Sequence, residues 1–223
     1  MGETGGRTEL RAATPLVNNL IGGPMPDLLV DSPEEGVARI TFNRPETLNA
    51  FTNATLEEFF QVLDRLRTDF SQRVVVLTGA GRAFSSGHDV ADHSTPSWLT
   101  DDLGTIPSNL VQQRWWAQVV PALRSLPQPV VAAVNGPVAG GGYALALGAD
   151  LRLAGRSARF VNAFHTLGAW LTKSALWAGI DGQSLEAAIE LEARGQILAL
   201  ATGDAAEHRR AQAEGRAPQF RWH

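Results

Sequence analysis

Pro129-Val130-Val131-Ala132-Ala133-Val134-Asn135-Gly136-Pro137-Val138-Ala139-Gly140-Gly141-Gly142-Tyr143-Ala144-Leu145-Ala146 is the stretch whose reading decides the fold. Its first half is an unbroken apolar run ended by Asn-Gly, which reads as a strand buried in a sheet. A turn and three glycines follow, and Tyr143 to Ala149 reads as the opening of a helix. The pattern has an upstream counterpart. Val74-Val75-Val76-Leu77 is a second apolar run, stopped by Thr78-Gly79-Ala80-Gly81. It follows a segment, Ala54 to Arg67, with Leu56, Phe59, Phe60, Leu63 and Leu66 at helical spacing. Glu57, Glu58, Asp64 and Arg65 take the other face of that helix. A continuous strand after an amphipathic helix predicts parallel pairing with both faces covered.

Working outward, Val37 to Phe42 alternates as a strand should, and Leu28-Leu29-Val30 is a short apolar run before it. Glu34-Glu35-Gly36 between them predicts a hairpin. One helix is expected over Leu110 to Leu126, ended by Pro127 and Pro129, and residues 92 to 110 read as a loop. Leu151 to Ala154 reads as a strand, with a further one at Ala158 to Phe160. The last third is helical: Leu171 to Ala178, Ser184 to Ala201 and about Asp204 to Glu214. Strands alternating with helices, then helices alone, give an α/β core with a helical C-terminal appendage. The division is 1–26 as a flexible extension rich in Gly, Pro, Thr and Asn, 27–169 as the core, and 170–223 as C-terminal helices.

Composition narrows the function. The chain has 223 residues, a net charge of −4 and no cysteine. No basic excess exists to neutralise phosphates, which argues against nucleic acid as a partner. Disulfide frameworks, thiolate metal sites and cysteine nucleophiles are all removed. No apolar run is long enough to span a bilayer, and the start lacks the apolar core of a secretory signal. The expectation is a cytoplasmic protein with no membrane partner.

The chemistry should lie at two glycine-bearing turns after buried strands, Phe84-Ser85-Ser86-Gly87-His88-Asp89 and Asn135 to Gly142. Ligand sites of α/β folds sit at the carboxyl ends of the strands. Amides at a helix start lack intrahelical partners, and glycine lets a ligand approach. Two such amides converging on one oxygen would make an oxyanion hole. The alternative is that the glycines only make tight turns.

The ordered set Asn43-Arg44-Pro45, Leu48-Asn49-Ala50, Val76-Leu77-Thr78-Gly79, Ala83 to Asp89, Pro129 to Gly136, Gly140 to Ala146 and Asp150 resembles the enoyl-CoA hydratase/isomerase (crotonase) family. The resemblance covers about Leu28 to Gly168 well and the C-terminal helices more weakly. It implies a crotonase-like spiral of ββα units with C-terminal helices, one segment missing. It implies an acyl-CoA substrate whose thioester carbonyl lies between the backbone N–H groups of His88 and Gly141, the catalytic pair. The family's substrate-contacting segments match Thr47, Leu48, Asn49 and Ala50, then Ser86, Gly87, Asp89, Val90 and Ala91, with Gly140 beside the second amide. No metal and no organic cofactor are implied, since CoA arrives as part of the substrate. A homo-oligomer, trimer or hexamer, is implied as well, weakened by the missing segment.

Two departures stand against that pattern. The family's two glutamates fall on Ala144 and Phe164, and neither side chain moves a proton. After Gly168 the chain also passes directly to what resembles the terminal helices, leaving out roughly 70 residues, a third to a half of a typical domain. That loss should expose apolar surface. The reading is therefore a thioester-processing enzyme of lyase or isomerase type with weak standard hydratase activity. The alternative is a non-catalytic acyl-CoA-binding or assembly subunit.

Other constellations are weaker. His88, Asp89, Asp92 and His93 could be metal ligands only if that stretch were helical. Ser85 or Ser86 with His88 and Asp89 could imitate a hydrolase triad, but triad members come from separate segments. His165, Asp92, Asp101 and Asp102 are candidate substitute acids or bases. Trp115 and Trp116 pack in the core or line the acyl pocket, and Arg209, Arg210 and Arg216 either meet phosphates or stay solvated.

Overall fold

The computed structural model describes residues 26–99, 104–161, 167–180 and 184–221. Two strands, β1 (Leu28–Glu34) and β2 (Val37–Phe42), form the expected antiparallel hairpin. Gly36 turns it at φ 80°, a left-handed conformation that glycine adopts without a Cβ penalty. Helix α1 (Asn53–Thr68) starts at a capping box: the Thr52 hydroxyl accepts from the Thr55 N–H, and the Thr55 hydroxyl accepts from the Thr52 N–H. Strand β3 (Val74–Gly79) follows, then α2 (Thr105–Ala117), α3 (Val119–Arg124) and β4 (Val130–Val134). The chain continues through β5 (Pro137–Ala139), α4 (Gly140–Gly148), β6 (Leu151–Ala154) and β7 (Arg159–Val161). Three helices close it: α5 (Leu167–Ile180), α6 (Leu185–Leu200) and α7 (Gly203–Ala213). Two strands followed by a helix occur twice, as β1-β2-α1 and β4-β5-α4.

The main sheet has the order β1-β2-β3-β4-β6, antiparallel at the hairpin and parallel beyond it; β5 and β7 form a separate parallel pair. One buried cluster joins Ile40, Phe42, Val75, Leu77, Ala132 and Val134 to Leu56, Phe59, Leu63 and Leu66 of α1 and Leu123 of α3. Phe42 is at its centre, with Phe51, Phe59 and Phe84 rings at 4.9, 5.7 and 5.8 Å. Burying these rings contributes about 1.5–3 kcal/mol each relative to exposure.

Three expectations change. The helix expected over 110–126 begins earlier, at Thr105 inside the stretch read as loop, and is two helices meeting at Gln118, because Pro121 has no N–H for the Ala117 carbonyl and cannot continue the ladder. The glycine triplet is not a turn before a helix; it is the first turn of α4. On β3, Val75, Leu77 and Gly79 are buried while Val74, Val76 and Thr78 are half-buried, so one face is closed and the other only partly covered.

At the far edge, every residue of β6 is exposed, with Leu151 at 60% and Leu153 at 65%. Leu147, Phe160 and Val161 nearby in the chain are exposed too. Apolar surface is thus open where the chain is short. Helix α5 begins at Leu167 and runs unbroken to Ile180, across the boundary placed at residues 169 and 170. Helix α6 packs on α5 and on α2, and Arg114 of α2 forks onto Glu190 of α6.

Candidate active site

The site is built where three loops meet. After β2 the chain makes a short 3-10 turn, Pro45–Thr47, and then places Leu48 and Asn49 at φ 56° and 57°. Left-handed backbone is costly for leucine, by roughly 1–2 kcal/mol. The surroundings hold it. Asn49 is 1% exposed, accepts from the Arg44 N–H through Oδ1 and donates through Nδ2 to the carbonyls of Ala80 and Ala83. Its side chain is therefore spent on fastening two loops, and what Thr47 to Ala50 offers outward is backbone.

The second loop lies directly against the first. The Ser86 N–H donates to the Leu48 carbonyl, and the Ser86 hydroxyl to the Thr47 carbonyl. Ser85 is fully buried; its hydroxyl donates to the Asn49 carbonyl and accepts from the Gly87 N–H. That hydroxyl is committed to backbone and is no nucleophile. The Phe51 N–H donates to the Gly87 carbonyl, and the Asp89 N–H donates to the Phe51 carbonyl. In a parallel bridge the residue between two such bonds turns its own N–H and C=O the other way. That residue is His88, and its N–H has no acceptor among the described residues.

The third loop supplies the partner. Ala139, the N-cap of α4, donates to the Ser85 carbonyl, so the helix start is stitched to the second loop. Gly140, Gly141 and Gly142 lie in the first turn, where amides have no intrahelical acceptor, and no side chain caps them. The two loops touch. A Cβ on Gly87 would stand 2.8 Å from the Gly141 nitrogen and 3.0 Å from the Ala139 carbonyl oxygen. Gly87 is also at φ 88°. Here the glycine is required twice, by conformation and by close approach.

Charge fastens the same loops. Arg44 donates to the Asp89 carboxylate at 2.9 Å and to the Ala50 carbonyl at 2.8 Å, with Asp27 3.7 Å away. Asp92 accepts from the N–H groups of Asn53 and Ser94. Desolvation pushes the Asp92 carboxyl up, but hydrogen bonds from Asn53 and Ser94 outweigh it, and the net effect is a lowered pKa. Desolvation lowers the pKa of His88, against the raising pull of Asp92 and Asp89. His88 is exposed, and its ring stands edge-on to Trp116 with centroids 4.0 Å apart. The Trp116 indole N–H donates to the Asn53 side chain.

Every residue that sequence reading assigns to the site lies on these loops: Thr47, Leu48, Asn49, Ala50, Ser86, Gly87, His88, Asp89, Val90, Ala91, Gly140 and Gly141. Val90 is exposed, and the Ala91 N–H donates to the Asp89 carboxylate. No three acidic or histidine side chains gather as a metal group among the described residues. Trp115 packs on Phe60 and Trp98, whereas Trp116 faces the site. Arg210 and Arg216 pair with Glu207. Phe164, His165, Asp101 and Asp102 lie outside the described residues. Asn53 joins the site only in three dimensions, with nothing in its local sequence to signal it; Arg44 lies in the quoted Asn43-Arg44-Pro45 motif, but its pairing with Asp89 is seen only in the fold.

Residues 32–194 match the model of the enoyl-CoA hydratase/isomerase family. The chain belongs to that family. A probable enoyl-CoA hydratase of Mycobacterium bovis is 32% identical over 265 positions, covering 86% of this chain and 92% of its own length. The 1,2-epoxyphenylacetyl-CoA isomerase of Escherichia coli is 40% identical over 145 residues, and the chain spans 53% of that relative. A probable enoyl-CoA hydratase/isomerase from Mycobacterium abscessus superposes with a TM-score of 0.55 at 28% identity, over 88% of this chain and 99% of that one. The mycobacterial alignment is 265 positions long but uses 86% of 223 residues, about 190. Roughly 70 positions of that family member therefore have no counterpart here, in line with the internal shortfall seen in the sequence. No helix among the described residues is long and apolar enough to cross a membrane.

Proposed function

We propose that this protein binds acyl-CoA thioesters and stabilises their enolates, with the thioester oxygen accepting from the N–H groups of His88 and Gly141. One observation carries the reading: two amides with no acceptor among the described residues stand on adjoining turns, His88 in the bridge to Phe51 and Gly141 in the first turn of α4. Negative charge that develops on a thioester oxygen is stabilised by preorganised donors of this kind, which typically contribute about 2.7–4 kcal/mol each. The family relatives named hydratases and isomerases support the choice of a thioester. The reaction would be of lyase or isomerase type. Crotonyl-CoA hydration should be weak, because Ala144 offers no carboxylate near the start of α4.

The test is a thermal melt with acetyl-, crotonyl- and octanoyl-CoA, joined to the infrared carbonyl band of bound [1-13C]crotonyl-CoA. Binding to the folded state raises the melting temperature by mass action. Polarisation by two donors lowers the carbonyl frequency. Gly141→Pro removes one donor within the first turn of α4, where no intrahelical bond is lost, and should reverse part of that shift. A thioester-independent melt would reject the reading.

A second reading is an assembly subunit that covers its open edge with another chain. The full exposure of β6 favours it. Sedimentation that shows a concentration-independent monomer would reject it.

A further inference from the structure

We propose that the imidazole of His88 is the proton-transfer group of this site, acting on the carbon next to a thioester carbonyl whose oxygen is held by the same residue's backbone N–H. The inference rests on the reading of the His88 and Gly141 amides given above.

The role rests on reach and on which groups are left open among the described residues. The neighbouring carboxylates are occupied. Asp89 is held by Arg44 and by the Ala91 N–H, and Asp92 by the N–H groups of Asn53 and Ser94. Ser85 is spent on the Asn49 carbonyl. The His88 ring nitrogens have no hydrogen-bond partner among the described residues, and the ring's aromatic neighbour is Trp116, whose indole N–H is taken by Asn53.

Reach follows from covalent geometry. Bonds of about 1.5 Å place the ring nitrogens within about 5 Å of the residue's own backbone nitrogen. A carbonyl oxygen about 2.9 Å from that nitrogen puts the thioester's α-carbon two bonds further on, a separation the ring is long enough to bridge. The groups facing His88 are Asp89 and Asp92 on its own loop, with Arg44 behind Asp89, and Trp116 on α2. Desolvation lowers the ring's pKa, against the raising pull of the two carboxylates.

The step balances without a further reactant. The α-C–H bond breaks and an N–H bond forms on the imidazole. The electron pair moves to the thioester oxygen as an enolate, and the imidazolium returns a proton to the same carbon or to its vinylogous neighbour.

The test uses the full chain and phenylacetyl-CoA, whose α-protons are acidified by the ring and which has no double bond to hydrate. Exchange of those protons in D2O is followed by NMR. Wild-type protein should exchange them at a rate that rises with pH through a single ionisation and then levels off. His88→Gln keeps the backbone N–H, and should lose about 100-fold or more in exchange while phenylacetyl-CoA binding and the lowered carbonyl frequency persist. Added imidazole should restore exchange to His88→Ala, which a structural role would not allow. Binding and carbonyl shift without exchange in the wild type, or exchange at the wild-type rate in His88→Gln, would overturn the role of His88 and leave the amide pair standing. No binding at all would overturn both.

Discussion

Replacing Gly87 by alanine tests the geometry of the site more directly than any change to a side chain. Two costs add. Gly87 is at φ 88°, where an L residue is disfavoured by roughly 1–2 kcal/mol. The new methyl would also stand 2.8 Å from the Gly141 nitrogen and 3.0 Å from the Ala139 oxygen. Both are backbone atoms at the start of α4, so relief requires moving the helix and not merely rotating a side chain. Overpacking of that kind costs about 1–3 kcal/mol. The sum, about 2–5 kcal/mol, lowers the melting temperature by on the order of 10 °C for a chain of this size. Gly215 separates the two contributions. It has φ 64°, and a methyl group there would meet nothing within 4 Å, so Gly215→Ala reports the conformational cost alone. Both variants and the parent are melted by circular dichroism under one buffer. Gly87→Ala should lose clearly more than Gly215→Ala, and should lose thioester binding as well, since Gly141 must shift. Equal losses would mean that the two turns do not touch, and the amide pair would fall with them.

Asn49→Ala removes the amide that bridges the Arg44 N–H to the carbonyls of Ala80 and Ala83; leaving such buried groups unpaired should cost about 3 kcal/mol, read as a fall in the urea midpoint at constant slope. His88 makes stability pH-dependent in a fixed direction. Its folded-state pKa is lowered, so the unfolded chain binds the proton more tightly, and stability falls as pH drops below about 6.5 toward the folded value. His88→Gln should flatten that part of the curve, and an unchanged slope between about pH 7 and 5 would show that another group carries it. Leu153→Glu on the open edge should leave monomer stability within about 0.5 kcal/mol and reduce self-association in sedimentation; a large loss of stability would mean that this face is covered within the monomer.

Much of the architecture is legible in local pattern. The apolar runs at 74–77 and 130–134, the alternation at 37–42 and the spacing of Leu56, Phe59, Leu63 and Leu66 each specify an element through contacts a few residues long. The glycines at 87 and 140–142 mark where backbone is open, because glycine's conformational freedom is a property of the residue itself. The ordered motifs point to the family. What local pattern misjudges is governed by distant or missing partners, as in the covering of β3; the break at Gln118 is the exception, since Pro121 signals it locally.

The sequence by itself determined the α/β class, the order of most elements and the residues of the two turns. Only the tertiary structure decided that the two turns touch, that Asn49, Ser85 and Arg44 spend their polar groups holding them together, and that the His88 ring stands beside Trp116 with its nitrogens unbonded among the described residues. The reason is physical. Secondary structure follows from interactions between near neighbours in the chain. The meeting of the two turns depends instead on three loops spread from Pro45 to Gly142, and on every hydrogen bond that fixes one against another.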